Sequence, residues 1–139
     1  RLQANKAKDA VKIFDYIHSL DNQKLADILA KSQINQNKNL KYFIQVNIGN
    51  EIQKSGISLD DLDEFYNLCT KDLNLNIVGL MCLPPNDNKS KFYFEKMNNL
   101  KEIMCLDELS MGMSGDYLEA VKCGSTFLRI GSKIFGNRN

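Results

Sequence analysis

The chain predicts an α/β fold, a parallel sheet with helices outside it. Two observations carry this: short apolar runs alternate with amphipathic stretches four or five times, and polar residues gather toward one end of the runs. With 139 residues, 43% of them apolar, the chain has the material for one core and reads as one domain.

The elements follow in order. Ile13 to Leu20 reads as a strand, and Asp21 stands as the N-cap of a helix whose Leu25, Ile28 and Leu29 share one face. The asparagine-rich segment from Asn35 to Asn39 is a solvated loop, and Gln3, Asn5 and Lys6 read as loop residues before the first strand. Tyr42 to Ile48 is a second strand. Helical spacing follows over Leu59, Leu62, Phe65, Tyr66 and Leu68, then a third strand from Ile77 to Leu83, stopped by Pro84-Pro85. A helix from Ser90 to Met104 carries Phe94, Met97, Leu100 and Met104 at its spacing, where core filling is the simplest role. The pattern closes with a strand at Leu109 to Met113, a helix at Asp116 to Lys122 and a strand at Phe127 to Ile130.

Composition narrows the partners. Eighteen basic against seventeen acidic side chains leave a net charge of +1, so no global field favours nucleic acid or an anionic membrane. No run approaches the ~18 apolar residues of a membrane span. Cys69, Cys82, Cys105 and Cys123 are too widely spaced for a zinc motif, and reduced thiols in a cytoplasmic setting are expected. No Walker-type glycine loop, nucleophile elbow or glycosidase-like carboxylate pair is present.

Strand direction separates interior from exterior. Tyr42, Ile44, Val46 and Ile48 form an apolar face, against Phe43, Gln45 and Asn47 on the other; Leu128 and Ile130 similarly oppose Phe127, Arg129 and Gly131. Polar groups therefore converge at the carboxyl ends of the strands, where both a closed barrel and an open doubly wound sheet place their sites. Ser114, before Gly115-Asp116, and Gly131-Ser132 both end strands in turns suited to an anion. Each alone also fits an ordinary cap or tight turn. Arg129, among Phe127, Leu128 and Ile130, needs a partner, either a carboxylate such as Asp107 or Glu108 or a heteroatom of a ligand. His18, the single histidine, ends the first strand as a structural or ligand-facing group, and Gln45 and Asn47 suit either a ligand or an interior amide network. Lys54-Ser-Gly56 reads as a polar turn near the mouth, solvated or mobile.

The stretch Leu109-Ser-Met-Gly-Met-Ser-Gly-Asp116, followed by Ala120, Gly124-Ser-Thr126 and Arg129-Ile-Gly-Ser-Lys-Ile-Phe-Gly136, resembles the YggS/PROSC family of pyridoxal 5′-phosphate (PLP) homeostasis proteins. Leu2-Gln with Asn5-Lys6, His18-Ser with Asp21, Gln45-Val-Asn-Ile48, Lys54-Ser-Gly56 and Gly79-Leu-Met81 extend the likeness along essentially the whole chain.

The resemblance implies a (β/α)8 TIM barrel of the alanine racemase N-terminal-domain type, PLP fold type III. Residues 1–139 would form about the last five βα units of one partial domain, truncated at its N-terminus. It implies that Ser114, Gly131 and Ser132 hold the cofactor phosphate, that Met113 borders it, that Arg129 faces the pyridine nitrogen, and that Asn47 and His18 belong to the cofactor-binding set. The family's Schiff-base lysine lies on a strand upstream of anything in this sequence, so no catalytic residue is assigned, and Lys6, Lys54 and Lys133 do not match it. The expected function is binding and release of PLP in intracellular homeostasis, without turnover, by a cytoplasmic monomer or weak dimer with no nucleic-acid or membrane partner. A racemase-like PLP enzyme, a phosphate-binding barrel for another ligand and a fragment unable to bind PLP covalently are the alternatives.

Overall fold

The computed structural model describes residues 2–52 and 55–136. A 3-10 turn (Ala4–Lys6) leads into α1 (Ala7–Ile13), β1 (Tyr16–Leu20), α2 (Gln23–Asn35), β2 (Lys41–Val46), α3 (Leu62–Asn67) with a π-helical turn at Leu68–Asp72, β3 (Asn76–Cys82), α4 (Ser90–Ile103), β4 (Glu108–Met113), α5 (Tyr117–Lys122), β5 (Phe127–Arg129) and α6 (Ser132–Phe135). All four strand pairings are parallel, and the sheet order is β1-β2-β3-β4-β5. Strand order never reverses, so the topological switch point of a doubly wound sheet is missing among the described strands.

The sheet is strongly curled. In a flat sheet β1 and β5, four spacings apart, would lie roughly 19 Å from each other. Yet the ring of Phe127 on β5 lies 5.3 Å from Tyr16 and 5.2 Å from His18, both on β1. Register shifts in the β1–β2, β2–β3 and β4–β5 pairings accompany the curl, as bulges do where strands bend and twist. The result is an arc of barrel whose concave side gathers residues from strands distant in order.

Every buried apolar side chain except Phe43 and Met81 belongs to one continuous cluster between the convex side and the helices. Leu20, Ile44, Leu80, Leu109 and Met111 supply its strand side; Leu25, Leu29, Phe94, Met97 and Ala120 supply its helix side. Tyr42 is buried there too, its hydroxyl donating to Gln33 Oε1 at 2.8 Å, so the one polar atom on that ring is satisfied. No helix among the described residues is long and apolar enough to cross a membrane.

Several local expectations need correction. Ile13 ends a helix instead of opening a strand: Ala7, Ala10 and Val11 turn a small apolar face onto the core, and β1 begins at Tyr16. Asn22, not Asp21, caps α2. Its extended backbone lets Oδ1 accept from the Leu25 N–H at 2.9 Å, while Asp21 accepts from the Asn22 side-chain amide. β2 stops at Val46, β3 at Cys82 and β5 at Arg129, each one or two residues before the apolar run ends. The loop expected over Gln3, Asn5 and Lys6 contains the 3-10 turn, and Ser132 opens α6.

Candidate functional site

The loop after β4 is fixed by its own atoms. The Met113 N–H donates to Asp116 Oδ1 at 2.7 Å and the Asp116 N–H returns to the Met113 carbonyl, closing a turn around Ser114 and Gly115. Gly112 sets its starting direction with φ +96. A Cβ at this position would stand 2.6 Å from the Ala120 Cβ and 3.0 Å from Leu128 Cδ2, so glycine lets α5 rest directly on the strand end. Ser114 then reaches the loop after β5. Its Oγ accepts from the Gly131 N–H at 3.2 Å and from the Lys133 N–H at 3.3 Å. The two loops thus meet at one oxygen, faced by amide donors at the start of α6.

Space is available beside them: side chains added at Gly115 or Gly131 would meet no atom within 4 Å. Met113 is partly exposed and lines, with Pro84, Pro85 and Asp116, a cleft of about 410 Å³. A larger cleft of about 700 Å³ lies against α3, between Gln23, Phe65 and Asp72, and shares no lining residue with this loop pair.

Arg129 finds neither Asp107 nor Glu108. Its Nη1 donates to Ser110 Oγ at 2.7 Å and its Nη2 to the Cys82 carbonyl at 2.8 Å. Two of its five N–H groups are therefore committed and the guanidinium is held across the concave side from β5 to β3 and β4. Burial lowers its proton affinity, yet an arginine so placed remains a cation. His18 joins the same group through Nδ1, 2.8 Å from Ser110 Oγ. Its ring stacks on Phe43 at 4.3 Å and 17° and meets Phe127 edge-on. Burial first, and the Arg129 charge second, hold its pKa below the usual 6.5.

Ser110, fully buried, was not singled out in the sequence. Its position between Leu109 and Met111 looks like plain strand, and the signal that could have found it was the need of Arg129 for a partner.

Other expected residues are used locally. The Asn47 amide donates to the Glu51 carbonyl at 2.9 Å and its Oδ1 accepts from the Glu51 N–H at 3.2 Å, folding a tight turn after β2. Gln45 donates to Ser55 Oγ at 3.0 Å, and Ile57 pairs beside Val46, so the half-buried stretch from Ser55 to Ile57 is anchored to β2 instead of standing as a solvated turn. Lys54 lies outside the described residues. The exposed Lys6 sits in the first turn, and Lys133 places Nζ 4.7 Å over the Tyr117 ring. Ser114 and Gly131 are brought together, Arg129 and His18 are joined through Ser110, Met113 and Ser132 flank the loop pair, and Asn47 belongs to a separate hydrogen-bonded set.

A group that suits these donors carries acceptors: an anionic oxyacid at the Ser114 and Gly131 loops, and an unprotonated ring nitrogen or similar acceptor at Arg129. PLP has both, so the donor set fits it chemically.

The family model described as alanine racemase, N-terminal domain, matches residues 2–139. The pyridoxal phosphate homeostasis protein of Vibrio alginolyticus is 38% identical over 146 residues, covering 99% of this chain and 63% of that protein. Its counterpart in Aquifex aeolicus is 36% identical over 147 residues, covering 99% and 64%. Among solved structures, PipY of Synechococcus elongatus, determined with PLP bound, superposes with a TM-score of 0.85 at 32% identity, covering 98% of this chain and 68% of PipY. The chain spans less than two thirds of the length of these two curated relatives.

Proposed function

Since the chain belongs to the alanine racemase N-terminal-domain family and is a relative of the pyridoxal phosphate homeostasis proteins, we propose that it supplies the phosphate and pyridine half of a PLP-binding site. The observation that carries this reading is the convergence of the Gly131 and Lys133 amides on Ser114 Oγ, on the same rim as the anchored Arg129 guanidinium. Ser114, Gly131 and Ser132 would hold the phosphate with Met113 at its border; Arg129 would face the pyridine nitrogen; His18 would lie beside the ring.

When bound, PLP supplies an electron sink for carbanion chemistry. Arg129 works against that use. A permanent cation opposite the pyridine nitrogen disfavours its protonation, and Ser110 and the Cys82 carbonyl keep the guanidinium in place. Holding and releasing the cofactor, without turnover, is therefore the favoured role. A racemase-type reaction also needs two positioned acid/base groups, and the Nδ1 of His18, the chain's single histidine, is already engaged by Ser110.

We further read the five βα units as part of an eight-unit barrel. Both outer strands, β1 and β5, have an unpaired edge among the described residues. The β5 flank exposes Leu118, Val121, Ile134 and Phe135, an apolar strip that a further βα unit would cover. The lysine that bonds the cofactor covalently would come from that segment.

Equilibrium dialysis with PLP tests the proposal. The chain should retain cofactor, and Arg129→Ala and Ser114→Ala should each weaken retention about tenfold or more, the scale of a lost hydrogen bond to a charged group. Equal retention by both variants would remove the site assignment. Amino-acid racemisation by the loaded protein would remove the non-catalytic reading.

A further inference from the structure

Ser110 joins the two ring-facing residues of the concave side, and the chemistry of its hydroxyl fixes a proton. Arginine can only donate, so Ser110 Oγ accepts from Arg129 Nη1 at 2.7 Å. The hydroxyl has one proton of its own, and His18 Nδ1, 2.8 Å away, is the acceptor within reach. Ser110 is fully buried, so no water can take that proton instead. Were Nδ1 protonated, Ser110 would face donors on both sides and its own proton would lack an acceptor, a costly arrangement in a buried place. The imidazole is clamped between the same neighbours: Phe43 stacks on its face, Phe127 meets it edge-on and Tyr16 lies 6.2 Å away.

We propose that Ser110 is a positioning residue that relays the donor character of Arg129 to His18, locking the imidazole as the neutral tautomer with its proton on Nε2. His18 then offers the site a donor, which no described residue occupies at Nε2, and it cannot act there as a base. The concave side consequently presents donors at Arg129, His18 and the Ser114 loop together, and it takes ligands whose facing atoms are acceptors. This deepens the proposed PLP reading, which supplies the ligand class, but the proton position itself is a property of the ligand-free chain.

The single histidine makes the test direct, since all imidazole signals belong to His18. Long-range proton–nitrogen spectra of the 15N-labelled, ligand-free chain at neutral pH should show a pyridine-type Nδ1 and a pyrrole-type Nε2. Ser110→Ala should convert this single tautomer into a mixture. Arg129→Met should do the same by a different route, because water entering the space the guanidinium leaves can take the Ser110 proton, and Oγ can then accept from Nδ1–H. Retention of the single Nε2–H tautomer in both variants would overturn the relay and leave burial as the cause. A Nδ1–H tautomer in the unaltered chain would overturn it outright. Failure to bind PLP with the tautomer pattern as expected would count against the cofactor reading and leave the relay standing.

Discussion

On the helix-facing side of the sheet the buried side chains are almost all aliphatic, aromatic or Met, and they form one sealed layer with α2, α4 and α5. On the concave side stand Tyr16, His18, Phe43, Met81, Ser110, Phe127 and Arg129, a mixture of rings, one thioether, one cation and the hydroxyls of Ser110 and Tyr16, of which Phe43, Met81 and Ser110 are buried. The first side is complete in itself: its apolar atoms have left water, and non-directional contact is enough. The second is satisfied by directed bonds, Arg129 to Ser110 to His18, and by ring pairs at 4.3 to 5.3 Å. The same strands thus carry non-directional packing on one face and directed polar and ring contacts on the other.

The sealing of the helix-facing layer should show most clearly in thiol accessibility, measured against Cys105 in the exposed turn after α4. Cys69 and Cys82 lie in the sealed layer, and burial pushes both thiols up to about 12. Under native conditions a thiol reagent should modify the exposed Cys105 at least about a hundredfold faster than either, a gap equivalent to roughly 3 kcal/mol of local opening. Comparable rates would mean that the outer layer is not sealed.

Truncations come next. Phe94→Ala, in the helix-facing layer, should cost about 3–5 kcal/mol in urea unfolding. The half-buried Phe127→Ala should cost about 1–2 kcal/mol, its loss being partial burial and ring pairing. An inverted order would place the stabilising core on the concave side.

The smallest effect is on pH. His18 titrates below 6.5 in the folded chain, so the unfolded chain binds the proton more readily. Its contribution is fully present above 6.5 and is lost as the pH falls through the folded value. The urea midpoint should therefore decline as the pH drops below 6.5, and His18→Gln should flatten that part of the profile. An unchanged slope in the variant would assign the decline to other groups.

Much of this was legible in the sequence. The five strands and helices α2, α3, α4 and α5 announce themselves by alternating apolar runs, and Ser114, Gly131 and Arg129 stand out as strand-end residues of types that bind anions. What escaped has physical causes. α1 buries Ala7, Ala10 and Val11, small residues whose helical spacing is masked because Ile13 and Phe14 run on toward β1. Asp21 and Asn22 are equally good caps by type, and backbone conformation decided between them. α6 is too short to carry a period. Ser110 was hidden most deeply, since one partner comes from the neighbouring β5 and the other, His18, from β1, three strands away, and meets it only because the sheet curls.

The turn that begins at Gly112 also bears on how this site can vary. A methyl group at 112 collides with Ala120, and displacing α5 would carry Ser114 away from the Gly131 amide; three residues on, Gly115 looks into open space. On the proposed PLP reading, substitution at 115, beside the Ser114 oxygen, would alter ligand preference at little cost to the fold, whereas 112 is closed to change. The loop after β4 has a frozen hinge and a free tip, and its evolvability is confined to the tip.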